Sequence, residues 1–325
     1  MSLPRVVQAI RRHRSFLVAA HVNPEADALG SALGLAGLLR ALGKRVQVLN
    51  DGGVPDILRF LPGSRTVAAT LSGPTDAEVA ITVDVPVFAR VGSAGRWLKQ
   101  AGQLISIDHH VSHEGFGDIN WVDPTAAATG QMIYQLFRAF RRFPSKDDAL
   151  CLYAALVIDT GSFKYRNTTP LVHRIAADLL QRAKVSPLVV SQGLYETHNR
   201  QGLRALGAIL QRLQATPDGR VAWVEVPRWL VRRAGPEVMD ELVNYPRAIK
   251  TAEVAFAMRE HAPGNVRVSL RSKGRVDVDR IARAFGGGGH LAASGCTIKA
   301  PLARARRRLL AEIRKYLPHG RSARR

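Results

Sequence analysis

The chain alternates between short strand-like stretches and longer segments with helical spacing of apolar residues. Phe16–Ala20, Arg45–Leu49, Val79–Val83 and Leu104–Ile107 are short, mostly apolar and bounded by polar turns, so they read as strands. Apolar residues at three- and four-residue intervals predict helices at Asp27–Leu42, Val87–Gln100, Ala126–Arg142, Asp147–Val157 and Leu171–Ala183. The opening MSLPRVVQAIRRHRSF reads as an amphipathic helix. Strands alternating with helices predict an α/β fold, a parallel sheet with helices on both faces. Ligands of such sheets sit beyond the carboxyl ends of the strands.

The pattern changes after TPDGR at 216–220, a turn signal. Strands are expected at Val221–Val226, Glu253–Met258, Val266–Arg271 and Gly295–Ile298, with helices at Val278–Phe285 and Leu302–Tyr316. This predicts a smaller C-terminal α/β unit. The expected division is a first domain at 1–190, a helical connector at 191–216, a second domain at 217–319 and a basic tail at 320–325.

Composition narrows the picture. Of the 325 residues 46% are hydrophobic, enough for folded cores. No apolar run is long enough to span a membrane, and the N-terminal segment lacks the apolar stretch of a signal peptide. A cytoplasmic protein without membrane contact is expected. Cys151 and Cys296 lie in apolar contexts and read as buried thiols rather than a disulfide. The net charge is +21, and residues 304–325 hold nine Lys or Arg against one acid, Glu312. A solvated helix face would explain this, and so would attraction for a polyanion such as nucleic acid. The aromatics do not interleave with the basic runs, so no base-stacking platform is evident.

Polar residues collect where strands end. His21, Glu25 and Asp27 follow the first strand in HVNPEADALGS, Asp84 follows Val79–Val83, and Asp108, His109 and His110 end SIDHH. Asp159 follows the helix that ends near residue 158 and opens DTGSFKYRNTTP. Helix capping alone would account for Asp27 or Asp84, but not for His21 or for four segments ending alike. Carboxylates mixed with imidazoles, without cysteine, suit manganese, magnesium or iron better than structural zinc. So many ligand-type groups exceed one ion's needs, and a carboxylate-bridged pair of ions matches in-line attack on phosphorus. In the second unit FGGGGHLAASG lies between a helix and a strand, where a flexible linker fits poorly. Gly287, Gly288 and Gly289 with His290 and Arg271 suggest an anion pocket in which backbone amides approach a phosphate.

These segments, in this order, resemble the DHH phosphoesterase superfamily with its DHH-associated C-terminal domain, and within it the oligoribonuclease/pAp phosphatase branch. VSLRSKGRVDVDRIARAFGGGGHLAASGCTI carries the C-terminal part of the likeness. The resemblance implies two domains with a cleft between them, two divalent metal ions, most often Mn2+ with Mg2+ or Co2+ as alternatives, and a homodimer. Implied substrates are short single-stranded RNA, 3′-phosphoadenosine 5′-phosphate (pAp), or cyclic and linear di-AMP. By motif position, His21, Glu25 and Asp84 resemble ligands of one metal. Asp27, Asp84, His109 and Asp159 resemble ligands of the other. Asp108 resembles an orienter of the histidines, His110 a contact to the reacting phosphate, and Arg271 and His290 phosphate-binding groups. Position 25 departs from the pattern, with Glu where Asp is common. The remaining histidines, His13, His113, His173, His198, His261 and His319, are expected at the surface or in ordinary packing. A nucleotide-binding protein without catalysis is the competing expectation.

Overall fold

The computed structural model describes residues 2–197 and 199–318, so His198, His319 and the tail at 320–325 lie outside the described residues. The chain forms two compact units, Met1–Glu196 and Thr197–Arg325.

The first unit is built on six strands, β1 Ser15–Ala19, β2 Arg45–Leu49, β3 Val67–Ala68, β4 Val79–Val83, β5 Gln103–Asp108 and β6 Ile119–Val122. All pair in parallel, in the order β3-β2-β1-β4-β5-β6. The register sets Ala19 beside Leu49 and Thr82, and Thr82 beside Ser106. The carboxyl ends of β1, β4 and β5 are therefore level. The chain winds outward in opposite directions from β1 and β4, and crevices for ligands open where the order reverses.

Alternate residues of β1 serve different cores. Phe16 and Val18 face α1 Leu3–Arg12, α2 Ala26–Ala41, α4 Thr129–Ala139, α5 Lys146–Asp159, α6 Pro170–Ala183 and α7 Pro187–Tyr195, whereas Leu17 and Ala19 pack with Val91, Trp97 and Leu98 on the other face. That other face is covered by a 3-10 segment, Phe88–Ala94, and a single turn, α3 Gly95–Leu98. The continuous helix expected at Val87–Gln100 does not form, because Gly92 adopts φ 61 and interrupts it. A Cβ at Gly92 would lie 2.2 Å from Asp51 Oδ2 and 2.6 Å from Val22 Cγ1. The break seats this segment on the loop after β1, where the Val22 amide donates to the Arg90 carbonyl at 2.8 Å.

The second unit holds β7 Gln214–Ala215, β8 Val221–Val226, β9 Val254–Ala262, β10 Asn265–Ser272, β11 Gly288–His290 and β12 Ala293–Lys299, ordered β11-β12-β10-β9-β8-β7. Pairing is antiparallel except between β8 and β9. One face packs on α11 Val278–Arg283 and α12 Leu302–Arg314, the other on α8 Arg200–Leu210 and α9 Arg228–Glu241; α10 Asn244–Arg247 is a single turn. The segment expected as a connector is shared out: α7 closes the first unit, and α8 supplies Ala205, Leu206 and Ile209 to the second unit's core. Among the described residues no helix is long and apolar enough to cross a membrane. Both cysteines are free and buried.

Candidate active site

Four segments of the first unit converge at the switch point between β1 and β4. His21 and Glu25 come from the loop between β1 and α2, Asp27 from the first turn of α2, Asp84 from just past β4 and His109 from just past β5. Asp159 is the last residue of α5. His21 Nε2 lies 3.2 Å from Glu25 Oε1 and 3.6 Å from Asp84 Oδ2. His109 Nε2 lies 3.1 Å from Asp159 Oδ2, 3.5 Å from Asp84 Oδ1 and 3.8 Å from Asp27 Oδ2. Among the described residues three overlapping groups of metal-type ligands result, His21–Glu25–Asp84, Asp27–His109–Asp159 and Asp84–His109–His110, and the two oxygens of Asp84 face His21 on one side and His109 on the other.

The imidazoles are held in one tautomer. His21 Nδ1 donates to the Val22 carbonyl at 2.9 Å, and His109 Nδ1 donates to the Ala126 carbonyl at 3.2 Å. A carbonyl only accepts, so Nδ1 carries the proton and Nε2 turns its lone pair to the carboxylates in the neutral ring. His110 is arranged differently. Its Nδ1 is 2.7 Å from Asp108 Oδ1, which also accepts the backbone amides of His109 and His110. Asp108, fully buried, therefore fixes the turn and the ring together.

Asp27 is not a cap for its own helix. Its carboxylate accepts the amides of Thr129 at 2.7 Å and Gly130 at 2.9 Å, the first two of α4, whose N-cap position is occupied by Ala128. Ser31 Oγ adds a third donor at 3.0 Å. Thr129 Oγ1 donates to Asp84 Oδ1 at 3.0 Å, so one residue supports two carboxylates. Asn167 donates to the carbonyls of Ala127 and Asp159, tying the end of α5 to the approach to α4.

The electrostatics call for positive charge. Burial opposes the charged form of His21, but hydrogen bonding and charge from Asp84 and Glu25 prevail and push its pKa up to about 10. Burial likewise opposes charge on His109, yet Asp159, Asp27 and Asp84 push it up to about 11. Burial, reinforced by Asp84 and Asp159, drives Asp27 well above the usual carboxylate range. Burial acts in that sense on Asp84 too, but the His21 hydrogen bond and the three imidazoles hold it below its usual value. Oxygen and imidazole donors converging from several elements under a negative potential fit hard divalent cations.

In the second unit, Arg271 and His290 are both in register with Ala293, on strands to either side of it. Residues paired in this way across neighbouring strands point to the same face, so the two share a face of the sheet. Two of the three glycine amides are engaged within the unit. Gly287 N–H donates to the Ala282 carbonyl at 3.0 Å, and Gly289 N–H to Asp279 Oδ1 at 2.7 Å. Gly287 also permits close packing: a Cβ there would lie 2.1 Å from the Gly295 carbonyl oxygen.

The DHH family, N-terminal domain, matches residues 15–156, and the DHHA1 domain matches residues 228–318. The bifunctional oligoribonuclease and PAP phosphatase NrnA of Thermus thermophilus is 33% identical over 92% of this chain and 89% of its own length. The chain belongs to the DHH family of phosphoesterases. A second relative, the bifunctional oligoribonuclease and PAP phosphatase NrnA of Bacillus subtilis, is 28% identical over 90% of this chain and 92% of its own length. The solved structure of an exopolyphosphatase-related protein from Bacteroides fragilis superposes with a TM-score of 0.89 at 26% identity, covering 97% of this chain and 96% of that one.

The DHH match spans His21 to His110, while Asp159 lies just beyond its last residue. Several contributors to this DHH site escaped the sequence reading: Thr129, Asn167, Gly92 and the carbonyls of Val22 and Ala126. Thr129 begins a helix after three alanines, and nothing local marks its partner, 45 residues away. His113 also does more than pack: its Nδ1 accepts the Gly115 amide at 2.9 Å and its Nε2 reaches Ser106 Oγ at 2.8 Å. It thereby fastens the loop after His110 to β5.

Proposed function

We propose that the protein hydrolyses short single-stranded RNA oligonucleotides and pAp with two divalent cations, Mn2+ in preference to Mg2+ or Co2+. His21, Glu25 and Asp84 would hold one cation, and Asp27, Asp84, His109 and Asp159 the other. The shared position of Asp84 between the two groups carries this reading, together with the inward Nε2 of His21 and His109. Bound there, the cations would supply Lewis-acid charge to the oxygens around phosphorus. The chain's own residues prepare the site for that charge. Carbonyls behind His21 and His109 fix the tautomer, and Thr129 fixes Asp84. Asp108 orients the ring of His110, which would contact an oxygen of the reacting phosphoryl group. Arg271 and His290 would grip a phosphate that is not cleaved. An arginine suits this task because its planar fork pairs with phosphate oxygens in a bidentate way and keeps its charge.

The test is a panel of di- to pentanucleotides, pAp, and linear and cyclic di-AMP, ranked by kcat/KM with and without Mn2+. Metal-dependent turnover highest on short RNA or pAp is expected. Preference for cyclic di-AMP would replace the substrate assignment, and binding without metal-dependent turnover would make the protein a nucleotide binder.

A further inference from the structure

The sequence reading found no aromatic residue among the basic runs, yet PRWLVRR at 227–233 places one there. This segment begins α9 on the surface of the second unit. Leu230 and Ala234 face the core at 1% and 2% exposure, while Arg228, Trp229, Arg232 and Arg233 are exposed. Trp229 is 52% exposed, an unusual state for the largest apolar side chain. The Arg233 guanidinium lies 5.7 Å from the centre of its ring. The adjoining helix α8 packs close to α9, since a Cβ at Gly202 would lie 3.0 Å from the Ala234 carbonyl. It adds exposed Arg200, Leu203 and Arg204. No acidic residue occurs between Glu225 and Glu237, or between Glu196 and Asp218.

We infer that this face of α9, with α8 beside it, is a docking surface for single-stranded nucleic acid. A flat indole can stack on an unpaired base, and the flanking guanidiniums neutralise the phosphates on either side of that base. A duplex keeps its bases stacked on each other and offers the indole nothing. A lipid surface would need a wide apolar face, and the exposed face of α9 has one tryptophan among three arginines. A second copy of the chain would bring the same positive charge against it. The surface goes beyond the proposed hydrolysis and uses none of its residues. It would let the protein hold strands longer than those it cleaves.

Binding of a fluorescein-labelled twelve-nucleotide single-stranded RNA to the full chain, followed by anisotropy in EDTA, tests this apart from turnover. Trp229→Ala is expected to weaken binding by about tenfold, within the range of stacking on one base, while Trp229→Phe keeps most of the affinity. Arg232→Ala with Arg233→Ala should reduce the slope of log affinity against log salt by roughly 1.4, from two lost phosphate contacts. A duplex of the same sequence should bind more weakly than the single strand and be indifferent to Trp229→Ala. All three variants should retain wild-type turnover of a small aryl phosphodiester. Wild-type RNA affinity in Trp229→Ala and in the double arginine variant would overturn the proposal. So would a change in sedimentation with unaltered RNA binding, which would assign the face to a second copy of the chain. Equal loss in Trp229→Phe and Trp229→Ala would overturn the stacking role.

Discussion

Asp84 sits in the left-handed backbone region at φ 61, a conformation that costs most residues energy and that Asp tolerates better than most. Its amide still donates to the Ile107 carbonyl at 3.0 Å, so the β4–β5 ladder continues up to the turn. The carboxylate is then shared between His21 and His109 and steadied by Thr129. Thr129→Val keeps the shape and the backbone amide that Asp27 accepts, but removes the hydroxyl. Loss of such a supporting hydrogen bond typically costs ten- to a hundredfold in metal affinity or activity. A drop of about that size is expected in Mn2+ affinity by calorimetry, with no large change in thermal stability. Glu25 has a different role to test. Its side chain is 44% exposed, and its Oε1 lies 3.2 Å from His21 Nε2. Glu25→Asp is expected to retain two ions but to reorder activity among Mn2+, Co2+ and Mg2+. An unchanged metal ranking in Glu25→Ala would exclude position 25 as a ligand. The chemistry at this scale was legible in sequence wherever a ligand-type residue directly follows a strand. The residues that orient those ligands were not, because a carbonyl has no residue signature and Thr129 meets Asp84 only after folding.

At the scale of elements, the site depends on how tightly α2, α4 and α5 pack. A Cβ at Gly30 would lie 2.5 Å from the Cys151 carbonyl oxygen, and one at Gly34 would lie 2.7 Å from Leu152 Cδ2. These two glycines let α2 lie against α5, which carries Asp159 at its far end. Gly130 lets α4 approach α5 in the same way, with a Cβ only 2.5 Å from that of Ala155. Gly30→Ala sets two effects against each other. Helix propensity favours alanine by about 1 kcal/mol, while overpacking costs about 1–3 kcal/mol. Contact with rigid backbone should let the steric term win, giving a net loss of up to about 2 kcal/mol in urea unfolding and weaker activity through displacement of Asp159. The sequence showed the parallel sheet and most of its helices because their apolar periods are long and regular. It missed the 3-10 segment at Phe88–Ala94 because apolar spacing there mimics a helix, and the contact that breaks it comes from Asp51 and Val22. It missed β11 because a glycine run has no side-chain alternation to read.

At the scale of the molecule, catalysis and anion recognition would fall to different units. The ligand-type cluster lies wholly in Met1–Glu196, and Arg271 and His290 lie in Thr197–Arg325. Arg271→Ala is therefore expected to lower kcat/KM for pAp and dinucleotides by roughly 2–4 kcal/mol of transition-state stabilisation, a charged contact being lost. It should spare a small aryl phosphodiester that has no second phosphate, and leave metal content unchanged. Equal loss on both substrates would move Arg271 to the reacting phosphate. The charge of +21 acts over longer distances and should appear mainly as salt-dependent affinity for longer strands, including those held at α9. The central claim concerns one carboxylate serving two ions, and metal stoichiometry tests it most directly. Protein equilibrated with Mn2+ and freed of excess is measured by mass spectrometry of the metal, for the wild type and for Asp84→Asn. Two ions per wild-type chain, with loss of at least one ion and of turnover in Asp84→Asn, is the expected result. A single ion in the wild type, or two ions and full turnover in Asp84→Asn, would contradict it.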